Sequence, residues 1–290
     1  MNRILRVAGL SLVAVLLVAG FHAQFVAAQA AGQKTFASSD EALKALISAV
    51  RGGNTSDIIS ILGPESESVI NSGDAVADQK SRTSFLASYD AKHTLVSGEG
   101  GLVLQIGKNQ WPMPIPLMHS GDKWYWDGAA GKEELLYRRI GHDEIDAIEA
   151  AKGVIAAQHD YAASGHDGQP AGAYAKRIIS APGKQDGLYW KAKEGEAESP
   201  AGPMLADAAE EGYDISGNRV PYHGYYYRLL PVSSGFALVV YPAQYRASGV
   251  MTFVANEKGV IYEKDLGPDT TKTALAMSTF TVDKTWRAVQ

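Results

Sequence analysis

The sequence predicts an α+β protein of two domains, each built from helices packed on an antiparallel sheet. Three observations carry that expectation. Apolar residues recur at helical spacing from 38 to about 91, and short apolar or aromatic runs separated by glycine take over from 94 to 126. A second helical stretch begins near 143, and further strand-like runs follow from 224. The composition, 46% hydrophobic with 14 tyrosines, belongs to a chain that folds, and 290 residues suffice for two ordinary cores.

Residues 1–30 have the layout of a secretory signal peptide. Arg3 and Arg6 precede an apolar run over 7–21, and small residues follow at 26–31. Cleavage is expected after Ala28 or after Ala30. The competing reading is a retained anchor, because 7–31 carries no charge and is long enough to span a bilayer. His22, Gln24 and Gln29 interrupt that stretch, and its unbroken apolar part, about 15 residues, has the length of a signal-peptide core. The expected address is periplasmic or secreted, with no membrane association after cleavage. The chain has no cysteine, which excludes disulfides, a cysteine-linked lipid anchor, thiol nucleophiles and thiolate metal sites. The formal charge is −5, and about −7 once Arg3 and Arg6 leave, so nucleic acid finds no basic footprint.

The N-terminal domain is expected over 36–130. Ser38 and Glu41 have capping-box spacing at the start of a first helix, whose apolar side is Ala42, Leu43, Leu46, Ile47 and Val50. Gly52 and Gly53 end it. A second helix is expected over 55–62, stopped by Gly63 and Pro64, and a third over 75–91. Strands are expected at 94–96, 102–106, 111–118 and 123–126. Pro112, Pro114 and Pro116 cannot donate to a ladder, which places the third strand at an edge or bulge.

Residues 131–141 read as a helical connector broken by Gly141. The C-terminal domain, 142–290, is expected to be one long helix followed by a β-meander. The helix runs over 143–162, with Ile145, Ile148 and Ile155 as its buried stripe and Ala151 between them. The stretch 164–218 is rich in Gly, Pro, Ser and charge and reads as a long loop, with short helices near 170–178 and 203–211. Strands follow at 224–230, 236–241, 250–255 and 260–264, the second apolar on both faces as a central strand is. A four-residue loop joins the last two, and Asp269 is placed to cap a final helix over 270–278.

Helices followed by a curved antiparallel sheet put the N-terminal elements in an order that resembles the cone-shaped, nuclear-transport-factor-like fold. The C-terminal order is similar to the globular part of pilin-like proteins. There the helix lies at the extreme N-terminus, whereas here it is charged and in mid-chain, so filament assembly is not implied. Four longer runs are more specific: Ser180-Ala181-Pro182-Gly183-Lys184-Gln185-Asp186-Gly187-Leu188-Tyr189-Trp190, Pro221-Tyr222-His223-Gly224-Tyr225-Tyr226-Tyr227-Arg228, Ser248-Gly249-Val250-Met251-Thr252-Phe253-Val254, and Tyr262-Glu263-Lys264-Asp265-Leu266-Gly267-Pro268-Asp269-Thr270. Together with Phe36-Ala37-Ser38 and Trp111-Pro112-Met113-Pro114-Ile115-Pro116, they resemble an uncharacterised family of exported bacterial proteins, domain of unknown function number 2950. The resemblance covers nearly all of the mature chain. It implies a bacterial, exported protein and supplies no catalytic residues.

His223 is the leading candidate for chemistry. It stands among Tyr222, Tyr225, Tyr226 and Tyr227, where an imidazole can act as acid, base or ligand. The competing reading is strand packing, since alternate tyrosines suit a pleated surface. The loop with Lys184, Asp186, Tyr189 and Trp190, joined by Tyr222 and Tyr226, is the candidate ligand-binding surface. The same parts equally suit a loop that pins its aromatics into the core. Glu263, Asp265 and Asp269 surround a Gly-Pro turn without calcium-loop spacing. His142 and Asp146 lie one helical turn apart without a third partner, so no metal is expected. His159 with Asp160, and His166 with Asp167, offer nothing further.

Serine-hydrolase, zinc-protease and phosphate-loop motifs are missing. The expected function is therefore non-enzymatic: an exported binding, scaffold or assembly protein of the bacterial envelope, with an envelope protein or polysaccharide as partner and no cofactor. The alternative is an envelope hydrolase acting on glycan or peptide. In it His223 is the acid or base and Asp186 or Asp265 its partner, and a carboxylate must lie within hydrogen-bond reach of the ring.

Overall fold

The structure is a computed structural model that describes residues 32–289 apart from 99, 217, 218 and 231. The cleavage sites expected after Ala28 or Ala30 lie outside the described residues. The fold is α+β. Among the described residues no helix is long and apolar enough to cross a membrane.

Helix α1 (Ser39–Gly52) starts as its sequence dictates: Ser38 Oγ accepts from the Glu41 N–H at 3.1 Å. Glu41 reaches back to the N–H of Ala37 at 3.0 Å, one residue earlier than an ideal capping box. Asn54 caps α2 (Thr55–Leu62). A 3-10 turn at Pro64–Ser66 and the short α3 (Glu67–Ile70) lead to α4 (Ala75–Ala91), whose first N–H groups, from Val76 and Ala77, are accepted by Asp74 Oδ1.

Five antiparallel strands follow: β1 (His93–Gly98), β2 (Gly101–Ile106), β3 (Trp111–Pro112), β4 (Leu117–Ser120) and β5 (Lys123–Trp126). They are ordered β1-β2-β4-β5, with β3 also on β2. The single strand expected over 111–118 is thus two strands. Pro114 and Pro116 have no N–H to donate, so the ladder stops between them. Leu46, Ile58, Leu104, Ile115, Leu117 and Trp126 are fully buried between helices and sheet. Each contributes about 1.5–3 kcal/mol by leaving water, and Trp126 Nε1 also donates to the Ala42 carbonyl at 3.2 Å.

Helix α5 (Gly128–Ala163) is one rod of 36 residues, about 54 Å long. Residues 131–141 and the helix that follows are continuous, so Gly141 does not break it. A glycine inside a helix costs about 1 kcal/mol relative to alanine. That cost is offset at both ends, because α5 packs Leu135 against the N-terminal core and Ala147, Ala151, Val154 and Ile155 into a second core. The expected stripe is out of phase at one position: Ile145 is 63% exposed, and Ala147 takes its place inside. Ile145 and Ile148 suggest one face, but small alanines allow the closest approach of β-sheet and helix.

Residues 164–218 hold more structure than a loop. They contain the parallel pair β6 (Arg177–Ile179) and β7 (Gly187–Tyr189), then α6 (Gly202–Glu210). The helix expected near 170–178 is absent, because buried Gln158 exchanges two 3.0 Å hydrogen bonds with the backbone of Ala175 and holds the segment extended. An antiparallel sheet closes the fold: β8 (Tyr225–Leu229), β9 (Ala237–Pro242), β10 (Met251–Asn256), β11 (Ile261–Asp265) and, after α7 (Thr270–Ala276), β12 (Arg287–Ala288). Its order is β12-β11-β10-β9-β8. Strand β9 is buried along its whole length. Leu238 and Val240 face α5, while Ala237, Val239 and Tyr241 face α7, which is why its sequence is apolar on both sides. Asp269 precedes α7, but its side chain makes no cap bond.

Candidate functional site

The geometry around His223 starts with a tight turn. Tyr222 and Tyr225 exchange backbone hydrogen bonds of 2.8 and 3.1 Å, and the two residues between them are left-handed, His223 at φ 49 and Gly224 at φ 74. Two consecutive positive φ values are the signature of a type I′ turn. The turn ends where β8 begins and aims the imidazole at helix α5. His223 Nδ1 lies 2.9 Å from Asp146 Oδ2, and Nε2 lies 3.5 Å from Glu211 Oε2, just beyond α6. Glu211 also pairs with Lys80 of α4 at 3.1 Å, and Asp146 with His142 Nδ1 at 3.2 Å. The partners that the sequence suggested for His223, Asp186 and Asp265, lie elsewhere.

Beneath the turn, Asp74 joins the two halves of the chain. Its Oδ2 accepts from the Gly224 N–H at 2.9 Å and from the Tyr213 hydroxyl at 3.1 Å, while Tyr213 in turn accepts from the His223 N–H at 3.3 Å. Arg139 of α5 lies beside this group and spends its guanidinium on the carbonyls of Ser68, Val69 and Ala247. Burial dominates the titration of the neighbours. It pushes the Tyr222 phenol up to about 12, helped by Glu211, Asp207 and Asp146. It lifts Tyr213, Tyr225 and Tyr227 further still. The Asp143 carboxyl is pushed up to about 8, chiefly by burial; Arg139 opposes the rise, and Asp74, Asp146 and Asp78 add to it.

A cavity of about 410 Å³ opens beside Tyr222, between β6, α6 and β8. Tyr222 and Tyr226 line it; Lys184, Asp186, Tyr189 and Trp190 do not. Those four belong to a separate segment, in which the Trp190 indole N–H is buried without a hydrogen bond. Asp186 accepts from the Ala181 N–H at 2.9 Å and pairs with Arg177 at 3.6 Å. The Tyr161 hydroxyl donates to the Gln185 carbonyl at 2.7 Å, and Trp190 packs among Tyr161 and His166. Asp265 sits on an outer turn, accepting from the Tyr245 hydroxyl at 3.2 Å and the Gly267 N–H at 2.7 Å. Glu263 pairs with Arg287, and no group of three or more His, Asp or Glu among the described residues is placed to hold a metal ion.

A family model described as "Protein of unknown function (DUF2950)" matches residues 33–234 and 231–289. The chain belongs to this family. No curated protein and no solved structure matches it.

In this DUF2950 member the cavity carries several polar groups that sequence reasoning missed. Lys176 and Arg219 line it, with Asp214 the one carboxylate among its described lining residues. Arg219 stacks on Tyr226, 4.9 Å from the ring centre. Arg228 is committed to carbonyls at the end of α7. Strand β8 is an edge strand. The Tyr225 N–H and C=O face away from β9 toward Tyr222, so alternation turns those of Tyr227 and Leu229 the same way, toward the cavity. The Tyr227 hydroxyl is buried without a hydrogen bond. Asp74, Glu211, Tyr213, Lys176 and Arg219 had no signal in the sequence, because they meet only across long separations.

Proposed function

We propose that the protein is a non-enzymatic binding protein of the bacterial envelope, exported by its leader, and that its ligand occupies the cavity between β6, α6 and β8. The lining suits an apolar body with one anionic group. Val154, Met204, Leu205 and Val220 supply apolar surface, and Tyr222 and Tyr226 supply flat faces. The observation that carries the reading is the excess of cations on this wall: Lys176, Arg177, Arg219 and Arg228 line it against one carboxylate, Asp214, among the described lining residues. The edge N–H and C=O groups of Tyr227 and Leu229 add hydrogen bonds that orient a ligand. Fluorescence titration with 8-anilinonaphthalene-1-sulfonate, an aromatic anion, tests it. Saturable binding is expected, at least tenfold weaker in the Lys176→Glu/Arg219→Glu double variant and unchanged in Lys108→Glu. Equal binding by both variants would overturn the assignment.

One observation favours the hydrolase alternative: a carboxylate, Asp146, does lie 2.9 Å from His223 Nδ1. Against it, Glu211 already faces Nε2, so both ring nitrogens are turned to carboxylates rather than to a substrate. That arrangement is a clasp between α5, α6 and β8. Turnover of envelope glycan or peptide that vanished in a folded His223→Gln variant would reverse this preference.

A further inference from the structure

The cavity beside Tyr222 is bounded by two strand edges as well as by side chains. Consecutive residues from Lys176 to Ile179 line it on one side, and consecutive residues from Tyr226 to Leu229 on another. The two strands concerned, β6 and β8, belong to different sheets and do not pair with each other. Just past β6, the Ser180 N–H donates to the Tyr189 carbonyl at 2.8 Å, so alternation turns the N–H and C=O of Arg177 and Ile179 away from β7. Just past β8, the Leu230 N–H donates to the Ala237 carbonyl at 2.8 Å, so the groups of Tyr227 and Leu229 turn away from β9. The N–H and C=O groups of these four residues make no hydrogen bond to any other described residue.

Unpaired strand edges are templates for a further strand, and proteins ordinarily blunt or cover them. Here both edges open onto a cavity of about 410 Å³. On each edge the free groups repeat every second residue, a spacing of about 7 Å. A peptide backbone offers an N–H and a C=O at that same repeat, which a fatty acid or an aromatic anion does not. In strand addition the main-chain bonds supply affinity and the surrounding pockets select side chains. Val154, Met204, Leu205 and Val220 are there to receive apolar side chains, and the excess of cations is there to receive a carboxylate. A second cavity, about 530 Å³ in the N-terminal half, lacks this pairing of features. Its lining balances Arg82 and Arg139 against Asp78 and Asp143.

We propose that the ligand of the cavity beside Tyr222 is an extended peptide of at least three residues, with apolar side chains and a carboxylate, that pairs with the free edge of β8 through Tyr227 and Leu229. The proposal rests on the reading of this cavity as an anion-accepting site and names the class of ligand. Lys176 and Arg219 supply the charge that the carboxylate meets. Pairing with one edge uses alternate residues of the peptide, so its N–H groups fall into two classes. One class donates to β8, and the other points away from it.

Competition against bound 8-anilinonaphthalene-1-sulfonate, with the natural protein, tests the two readings separately. Acetyl-Val-Ala-Val as the free acid carries its carboxylate at the chain end, and acetyl-Asp-Ala-Val amide carries it on a side chain. At least one of them is expected to displace the dye at least tenfold more tightly than acetyl-Val-Ala-Val amide, which has none. The tighter peptide is then methylated either on the second backbone nitrogen or on the first and third. One of these forms should bind at least tenfold more weakly, and the other within about threefold of the parent. Amide hydrogen exchange at Tyr227 and Leu229 should slow at least tenfold with the peptide and not with the dye. Dye binding that no peptide displaces, equal effects of the two methylation patterns, or unchanged exchange at those amides would each overturn the peptide proposal and leave the anion site standing. A protein that binds neither dye nor peptide would overturn both.

Discussion

Asp143 shows how much a single residue's surroundings outweigh its chemistry. An aspartate ordinarily titrates near 3.8, and here burial raises it to about 8. The folded state therefore holds a proton that the unfolded chain releases. Its stabilising contribution is complete below about pH 4 and is lost as pH rises through about 8. Chemical denaturation across this range should show stability falling by on the order of 2–4 kcal/mol. Asp143→Asn should flatten the curve, leaving a variant more stable than the natural chain at pH 8.5 and within about 1 kcal/mol of it at pH 4. A residue that stabilises the protein when replaced is usually kept for function. The sequence suggested nothing of this: Asp143 was only the first residue of an expected helix, because most of the carboxylates and phenols that enclose it come from the start of α4 and from β8.

Elements were legible where their signals are local. Ser38 capped the first helix because a cap needs only three residues, and β9 read as central because its two apolar faces are consecutive in the chain. Elements were misread where distant packing overrode the local signal. Gly141 ends a helix on propensity alone, but α5 has a core at each end to hold it straight. The two kinds of glycine can be told apart by experiment. At Gly141 an added methyl meets nothing within 4 Å, so Gly141→Ala should stabilise the protein by about 0.5–1 kcal/mol. At Gly224, with φ 74, a Cβ would stand 2.7 Å from Asp143 Oδ2, so Gly224→Ala should cost about 2 kcal/mol or more. Equal effects in urea denaturation would contradict the conformations assigned to both.

At the scale of the whole molecule, the N-terminal core and the core between α5 and the C-terminal sheet are joined by one helix and by a buried polar clasp, while a third cluster lies between the far face of that sheet and α7. Asp74 reaches from α4 to Gly224 and Tyr213, and Arg139 reaches from α5 to Ser68 and Ala247. Both links are made inside the protein, where leaving one partner unsatisfied costs about 1–3 kcal/mol. The natural chain should therefore melt as one calorimetric transition. Asp74→Ala with Arg139→Ala should separate it into two, with the N-terminal core losing stability first, since Asp74 also caps α4. A single transition in the double variant would show that α5 alone couples the cores.

The sequence by itself determined the α+β class, most helices and strands, the absence of thiol chemistry, and the family. These follow from spacing, capping, glycine and proline placement, and composition, all of which are read over a few residues at a time. It also singled out His223, Tyr222 and Tyr226. Only the tertiary structure decided what those residues face. His223 meets Asp146 from 77 positions away, while Asp186 and Asp265 are held by their own neighbours. The reason is physical: a pattern along the chain reports which face of an element is buried, but a site depends on which faces meet. That is settled by the packing of α4, α5, α6 and β8 together, and it is this packing that encloses the two cavities.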